Sequence, residues 1–245
     1  MMGRGWAVVA LCLLVLLCAC GTQEVGEEED TPPATQEQAS KPLDTSVIQG
    51  REGELDFAFS LEDWIAAYNV QYQEGMGEAL LTPPETWSSL RFATAPHSQQ
   101  ETVFYEFLAD ERMFNLPTMT VYVPQGGSCV QEITVNFDDH DYSDALYEFY
   151  QELCFYTVKT LRPEMEAEQI RELCQALDDV AYGELRLNKQ RYGSDVVPVL
   201  LYHKDGVGFY SHFALGDYVR LCAIPVTQER LAEYAQQGTE LRELP

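Results

Sequence analysis

The sequence predicts an α+β fold, in which antiparallel strands pack against about four helices in a single domain that follows a disordered N-terminal stalk. Two observations predict the domain. Segments with helical apolar spacing alternate with groups of strands, and no linker interrupts residues 55–245. A third observation predicts the stalk, because residues 24–56 are rich in Glu, Thr, Gln, Pro and Ser and contain no aromatic residue. The roughly 190 residues of the domain are enough for one sizeable core.

The first helix is predicted to begin after Ser60, whose side chain can cap it together with Asp63 three residues later. Apolar residues then recur at spacings of three and four and share one face, which predicts a buried stripe. This stripe comprises Leu61, Trp64, Ile65, Tyr68 and Tyr72. Gly75 and Gly77 are predicted to end the helix.

A first β region is predicted at residues 87–93, 101–108, 118–123 and 129–137. The last two strands flank a five-residue loop with two glycines, which favours a hairpin. On the fourth strand Ile133, Val135 and Phe137 alternate with polar residues such as Glu132 and Asn136. This alternation predicts an antiparallel sheet with one solvated face.

Two helices are predicted next, a central one at residues 143–161 and a surface one at residues 166–177. A second β region follows at residues 181–187, 196–203, 207–215 and 218–224, with Asp205-Gly206 as a tight turn. A final helix at residues 228–236 is predicted to be capped by Thr227.

The N-terminus has one early positive charge, Arg4, followed by an apolar run from Trp6 to Leu17 and then by small residues. This layout is typical of an export signal, and a run of about twelve residues is shorter than the roughly 20 that cross a bilayer as a helix. Its end, Leu17-Cys18-Ala19-Cys20, resembles the lipobox of bacterial lipoproteins, with Cys18 as an uncommon but small occupant of the middle position. The resemblance implies that Cys20 is joined through its sulfur to diacylglycerol and begins the mature chain. The alternative is an ordinary signal peptide cut elsewhere.

Three parts of the chain follow from this interpretation. We expect a lipoprotein signal peptide at residues 1–19, a lipid-anchored, acidic and disordered linker at 20–54, and an α+β globular domain at 55–245. The expected location is the extracytoplasmic face of the cell membrane, with the lipid on Cys20 as the anchor. The segment at residues 59–69 also resembles, faintly, the domain starts of uncharacterised lipoproteins from Gram-positive bacteria.

Acidic residues dominate the charge, with 40 Asp and Glu against 15 Lys and Arg and a formal net charge of −25. Nucleic acid is therefore excluded as an expected partner, because polyanions need a basic surface. A cationic peptide, a polyamine or a metal ion would be attracted. The alternative is that the acids serve only solubility.

One acid-rich stretch contains Asp138, Asp139, Asp141 and Asp144 around His140. These aspartates are candidates for a weak cation site, but the spacing lacks the Gly at the sixth position and the Glu at the twelfth position of an EF-hand loop. The alternative is a solvated turn in which Ser143 or Asp144 caps the next helix. We therefore predict no metal site and no cofactor.

Histidines and cysteines give no catalytic or metal-binding motif. If Asp205-Gly206 is a two-residue turn, His203 faces Gly208 and His212 faces Val199. Both histidines then lie on one face of the hairpin but about 13 Å apart along the strands, too far to share one zinc ion, and His97 has no visible partner. Four cysteines follow Cys20 without a CxxC spacing: Cys129, Cys154, Cys174 and Cys222. We expect buried thiols, although export permits disulfides, and Cys154 with Cys174 is the pair to test first.

No serine-hydrolase elbow, zinc-protease, P-loop or dinucleotide-binding motif occurs in the chain. The sequence therefore favours a non-enzymatic lipoprotein that binds a protein or a cell-wall component. The alternative is an exported hydrolase or cation-binding protein whose site is assembled from distant residues.

Overall fold

The computed structural model of the chain describes residues 42–50, 53–94, 101–107, 116–138, 143–187, 189, 196–214 and 218–245. Ala39–Pro245 is one compact unit, and its helices and sheets confirm the predicted α+β class. The predicted signal peptide and Cys20 lie outside the described residues.

Four helices and ten strands make up the described part of this unit. The helices are α1 (Leu61–Met76), α2 (Asp144–Leu161), α3 (Ala167–Arg186) and α4 (Gln228–Gln236). The strands are β1 (Val47–Gln49), β2 (Leu55–Phe57), β3 (Ser88–Thr94), β4 (Glu101–Phe107), β5 (Thr118–Pro124), β6 (Glu132–Asp138), β7 (Leu200–Lys204), β8 (Val207–Ala214), β9 (Tyr218–Pro225) and β10 (Glu240–Glu243).

Eight strands form one sheet in the order β10-β7-β8-β9-β6-β5-β4-β3. All neighbours are antiparallel except β10 and β7, which run parallel, so the sheet is mixed at one edge. The two remaining strands, β1 and β2, form a separate antiparallel ribbon. The ribbon is joined to the segment before β6 by backbone hydrogen bonds from Phe57 N to Val130 O (2.8 Å) and from Val130 N to Phe59 O (3.0 Å).

Helix α1 begins and ends as its local sequence predicts. Ser60 is the N-cap and forms a reciprocal capping box with Asp63, and Gly77 ends the helix in the left-handed conformation at φ 88°. The buried residues are the five of the predicted stripe. The aromatic members of the stripe continue into a cluster with Tyr156 of α2, in which the Tyr72 and Tyr156 rings are tilted with centroids 4.8 Å apart.

Helix α3 is longer than predicted, and the strand predicted at residues 181–187 is wrong. Leu177, Ala181 and Glu184 are all buried at helical spacing, so the helix continues to Arg186 and packs against β8. The Glu184 carboxylate also accepts a hydrogen bond from the backbone N–H of Phe213 at 3.1 Å. This contact between helix and sheet stabilises the extra turns of the helix.

The sheet is covered on both faces near β8 and β9. Helices α1, α2 and α3 share one core with side chains such as Ile133 and Phe137 of β6. On the opposite face, Leu231 and Tyr234 of α4 pack with Tyr210 and Cys222 in a second, smaller core. The predicted solvated face is therefore wrong for β6, because Glu132 and Thr134 are fully buried and Asn136 is only 6% exposed.

Ordered structure also begins earlier than the predicted boundary at residue 55. Strand β1 lies within the predicted linker at 20–54 and pairs with β2 in register, with Ile48 opposite Asp56. Val47 packs so closely on the Asp205–Gly206 turn that a Cβ added to Gly206 would lie 2.9 Å from it. A strand of three residues in a polar segment is too short for composition to reveal.

The hairpin turn predicted at Asp205-Gly206 is confirmed, with φ values of 46° and 87° at its two residues. Thr227 caps α4 by accepting from the backbone of Arg230, as predicted. Within the described residues, no helix is both long and apolar enough to span a membrane.

Candidate functional site

A layer of buried and partly buried polar side chains lies on the α4 side of the sheet, across β5, β6, β9 and β8. Strand register sets two rows across the strands, one from Thr118 to Asn136, Arg220 and His212, and one from Thr120 to Thr134, Cys222 and Tyr210. Glu132 lies at the end of the layer, opposite Tyr122. We call this set the polar layer, and it comprises Thr118, Thr120, Tyr122, Glu132, Thr134, Asn136, Tyr210, His212, Arg220 and Cys222.

Asn136 is the centre of the first row. Its side-chain oxygen accepts a hydrogen bond from Arg220 Nε at 2.6 Å, and its Nδ2 donates to Thr118 Oγ1 and Thr120 Oγ1 at 3.2 Å each. These bonds fix the orientation of the amide, and the amide in turn fixes the guanidinium group of Arg220. The polar groups of β5, β6 and β9 are thus held in one arrangement.

Glu132 is a buried carboxyl group that faces a single nearby cation. Burial raises the pKa of Glu132 to about 8, although the positive charge of Arg220 and the thiol of Cys222 both act to lower it. The side chain therefore holds a proton at pH 7. In that state it is a neutral hydrogen-bonding group within a packed sheet.

Cys222 and His212 are the closest approach to a catalytic pair among the described residues. Cys222 Sγ lies 3.9 Å from His212 Nδ1, and the imidazole ring stacks on Tyr210 with centroids 5.6 Å apart. A cysteine nucleophile reacts as the thiolate. Burial, and next the charge of Glu132, raise the pKa of the Cys222 thiol well above its usual value. The pair is thus held in its unreactive form.

The aspartates proposed as cation ligands are not brought together by the part of the chain that the structure describes. Asp138 ends β6, Asp144 is the exposed first residue of α2, and Asp139 and Asp141 lie outside the described residues. The helix cap is Ser143, which accepts from Leu146 N at 3.3 Å. Among described residues, no group of three or more His, Cys, Asp and Glu side chains could hold a metal ion.

The histidines take the predicted positions on one face of the hairpin. His203 pairs with Gly208 as predicted, whereas His212 is buried beside Arg220 of β9. Strand β7 begins only at Leu200, so the predicted pairing of His212 with Val199 is wrong. His97 lies outside the described residues.

The structure contains Cys129, Cys154, Cys174 and Cys222 as free cysteines. Cys129 is partly exposed and the other three are buried, which agrees with the predicted buried thiols. Cys154 and Cys174, the pair proposed for a disulfide test, lie on the facing helices α2 and α3. Burial raises the pKa of the Cys154 thiol, and the nearby Cys174 raises it further.

In the processed chain that begins at an acylated Cys20, we expect a bulky thiol reagent to modify Cys129 alone, because the other three described thiols are buried and protonated. The measurement is the number of modified thiols, by intact mass, before and after unfolding without reductant. Unfolding should expose all four thiols, and Cys129→Ser should abolish the native reaction. Only two reactive thiols after unfolding would contradict this expectation and indicate a disulfide.

A second buried carboxyl group joins α2 to α3. Asp178, 2% exposed, accepts hydrogen bonds from Tyr147 OH at 2.8 Å, from Tyr150 OH at 3.1 Å and from Gln151 Nε2. Burial raises its pKa to about 6, although these three donors act to lower it. The group is enclosed by donors from α2, so its role is to hold the two helices together.

The sequence did not identify Glu132 and Asp178 as buried groups or Arg220 as a partly buried one. The signal for Arg220 was present, because β8 and β9 are nearly continuous apolar runs of the kind that central strands show on both faces. A charged residue within such a run requires a buried partner. No comparable local signal marks Glu132, whose burial depends on what covers the sheet.

Chemically, the polar layer offers hydrogen-bonding groups, and Glu132 in it holds a proton at pH 7. The thiol of Cys222 is not activated for attack on a substrate. Comparison of the chain with protein-family models, curated proteins and solved structures found no match.

Proposed function

We propose that this chain is an extracytoplasmic lipoprotein, anchored through diacylglycerol on Cys20, whose α+β unit is a binding module rather than an enzyme. The observation that carries the anchor is the sequence Leu17-Cys18-Ala19-Cys20 at the end of a short apolar run. A lipid anchor of several acyl chains holds firmly, since each buried methylene contributes about 0.8 kcal/mol.

The position of β1 supports a tethered arrangement. Strand β1 begins at Val47, so roughly 26 residues separate it from Cys20. An unstructured chain of that length has a root-mean-square span of about 30 Å. Such a spacer would hold a binding domain clear of the lipid head groups.

The polar layer supports binding over catalysis. Its cysteine is kept as a neutral thiol, its histidine is buried, and Glu132 is protonated at pH 7. A cysteine hydrolase needs a thiolate at an accessible position. A protonated carboxyl group can act as a general acid only where substrate reaches it, and Glu132 is fully buried.

Labelling with radioactive palmitate in a bacterial host tests the anchor. We expect the wild-type chain and Cys18→Ala to incorporate label and to yield a mature mass that begins at Cys20. Cys20→Ala should incorporate none. Cys18 is a matched control, because it lies two residues before Cys20 at the end of the same apolar segment. Label that persists in Cys20→Ala, or label absent from the wild type, would overturn the proposed anchor.

A further inference from the structure

An open cleft of about 560 Å³ lies between the β1–β2 ribbon and the first turns of α4. On the ribbon side it is lined by Val47–Gln49 of β1 and by Gly53 and Leu55 on the β2 side, and on the helix side by Thr227–Arg230 and Glu233. We call it the β1–α4 cleft. It is separate from the polar layer, which shares none of these residues.

The strand β1, which lines the cleft, also has an unpaired outer edge among the described strands. The bonds from Ala58 N to Ser46 O (2.9 Å) and from Gly50 N to Glu54 O (2.8 Å) show which residues of β1 bond to β2. By the alternation of an antiparallel ladder, the backbone N–H and C=O groups of Val47 and Gln49 point away from β2. Among the described strands, β1 pairs with β2 alone. Such an edge can accept a further strand.

The ribbon also offers an apolar contact at this edge. Ile48 is one of few large apolar side chains exposed in the described part of the chain, at 39%. Its register partner Asp56 lies on the same face of the ribbon, because opposed residues of an antiparallel pair share a face. Ile48 and Asp56 thus place an apolar and an acidic group side by side.

Among the described residues that line the cleft, acids outnumber bases. Glu229 and Glu233 of α4 line it, and Arg230 is shared between Glu54 at 3.8 Å and Glu233 at 3.5 Å. Asp56 pairs in register with the lining residue Ile48 but does not itself line the cleft; it is 6% exposed, and its Oδ1 has no hydrogen-bond partner in the described part of the chain. A buried carboxylate oxygen without a donor favours the approach of a cation.

We propose that the β1–α4 cleft binds an extended segment of a partner protein that carries basic side chains. The partner backbone continues the ribbon by bonding to Val47 and Gln49, and its Lys or Arg side chains pair with Glu229 and Glu233. Strand addition supplies affinity through the backbone, and the acids supply selectivity for positive charge. The inference rests on the proposed function, since it names the partner chemistry of the binding module.

Fluorescence anisotropy tests the proposal. The probe is a labelled heptapeptide amide, Lys-Val-Lys-Val-Lys-Val-Lys, and the protein is the full chain, purified as the cell processes it. We expect saturable binding that is at least tenfold tighter than that of the Glu-Val counterpart. N-methylation of alternate amides on one edge of the peptide should abolish binding. The same modification on the other edge should leave it intact, because only one edge meets β1.

Protein variants test the same surface. Replacing Glu229 and Glu233 together by Gln should weaken binding of the Lys peptide at least tenfold. The matched control is Glu168→Gln with Glu172→Gln, which makes the same change on exposed residues of the first turns of α3. The control should bind as the wild type does, and thermal melting should show that both variants are folded.

Three results would overturn the proposal: equal affinity for the Lys and Glu peptides, unchanged binding by the α4 variant, or equal binding of both N-methylated forms. Displacement of the peptide by spermidine at matched charge concentration would also overturn it, because the site would then recognise cations without strand addition. Palmitate labelling of the same preparation separates this inference from the anchor. Labelled protein that ignores the peptide refutes only the peptide site, and unlabelled protein that binds it refutes only the anchor.

Discussion

Replacing Glu132 by Gln is expected to remove most of the fall in stability that the protein shows as the pH rises from about 5 to 8. In the folded state burial holds the pKa of Glu132 at about 8, against 4.5 for the ordinary side chain. The folded protein therefore binds one more proton than the unfolded chain between these values. Stability is then greatest below pH 4.5 and is lost as the pH approaches 8, with a slope of at most about 1.4 kcal/mol per pH unit.

Glutamine keeps the size of the side chain and has no proton to lose. At pH 5 the free energies of unfolding of the two proteins should therefore be similar, because the native carboxyl group is neutral. At pH 8 the Gln variant should be more stable by about 3 kcal/mol. The measurement is urea unfolding at a series of pH values, with Glu172→Gln as the control on an exposed face of α3.

In both proteins, stability should still decrease somewhat as the pH rises from about 4 to 6. Burial also raises the pKa values of Asp56 and Asp178 to about 6, so these groups release their extra protons at lower pH than Glu132 does. Identical pH profiles for the wild type and Glu132→Gln would contradict a raised pKa of the buried Glu132 carboxyl group in β6.

Elements with complete local signals could be predicted from the sequence. Helix α1 has its cap at Ser60, its stripe from Leu61 to Tyr72 and its end at Gly77 within one short segment, and each of these is confirmed. The turn at Asp205-Gly206 is set by two residues that accept positive φ. In these segments the local preferences agree with the fold.

Elements that depend on distant contacts could not be predicted in the same way. Strand β10 was missed because four mostly polar residues give no strand pattern, and its parallel pairing with β7 is set by tertiary packing. The end of α3 was misplaced because residues 181–187 carry apolar residues that fit either a strand or a helix. The contact between Glu184 and Phe213 N favours the helix.

The polar layer shows the same limit at the level of the candidate site. The period of β6 correctly placed Glu132, Thr134 and Asn136 on one face. It did not show that this face is buried. Alternation shows which residues share a face of the strand, whereas burial of that face depends on the elements that cover the sheet. The bond between Arg220 and Asn136 joins residues 84 positions apart, which no local pattern can indicate.

Replacing Asp178 by Ala is expected to destabilise the protein by about 3–5 kcal/mol at pH 7, the cost of leaving buried donors without their acceptor. Tyr147, Tyr150 and Gln151 all donate to this carboxylate from α2, and its loss would leave their polar groups between the packed helices. Urea unfolding measures the change. The matched control is Asp179→Ala, the next residue of the same helix, which is exposed and bonds only Gln175 among the described residues, at 3.1 Å.

The control should change stability by no more than about 0.5 kcal/mol, since surface substitutions rarely do more. Removing the two hydroxyl donors as well, with Tyr147→Phe and Tyr150→Phe, should recover part of the loss. An apolar contact then replaces unsatisfied donors, and the three changes are strongly non-additive. Equal stability of the Asp178 and Asp179 variants would show that the carboxylate does not hold α2 to α3. A triple variant whose loss equals the sum of the separate losses would show that the two tyrosines do not act through Asp178.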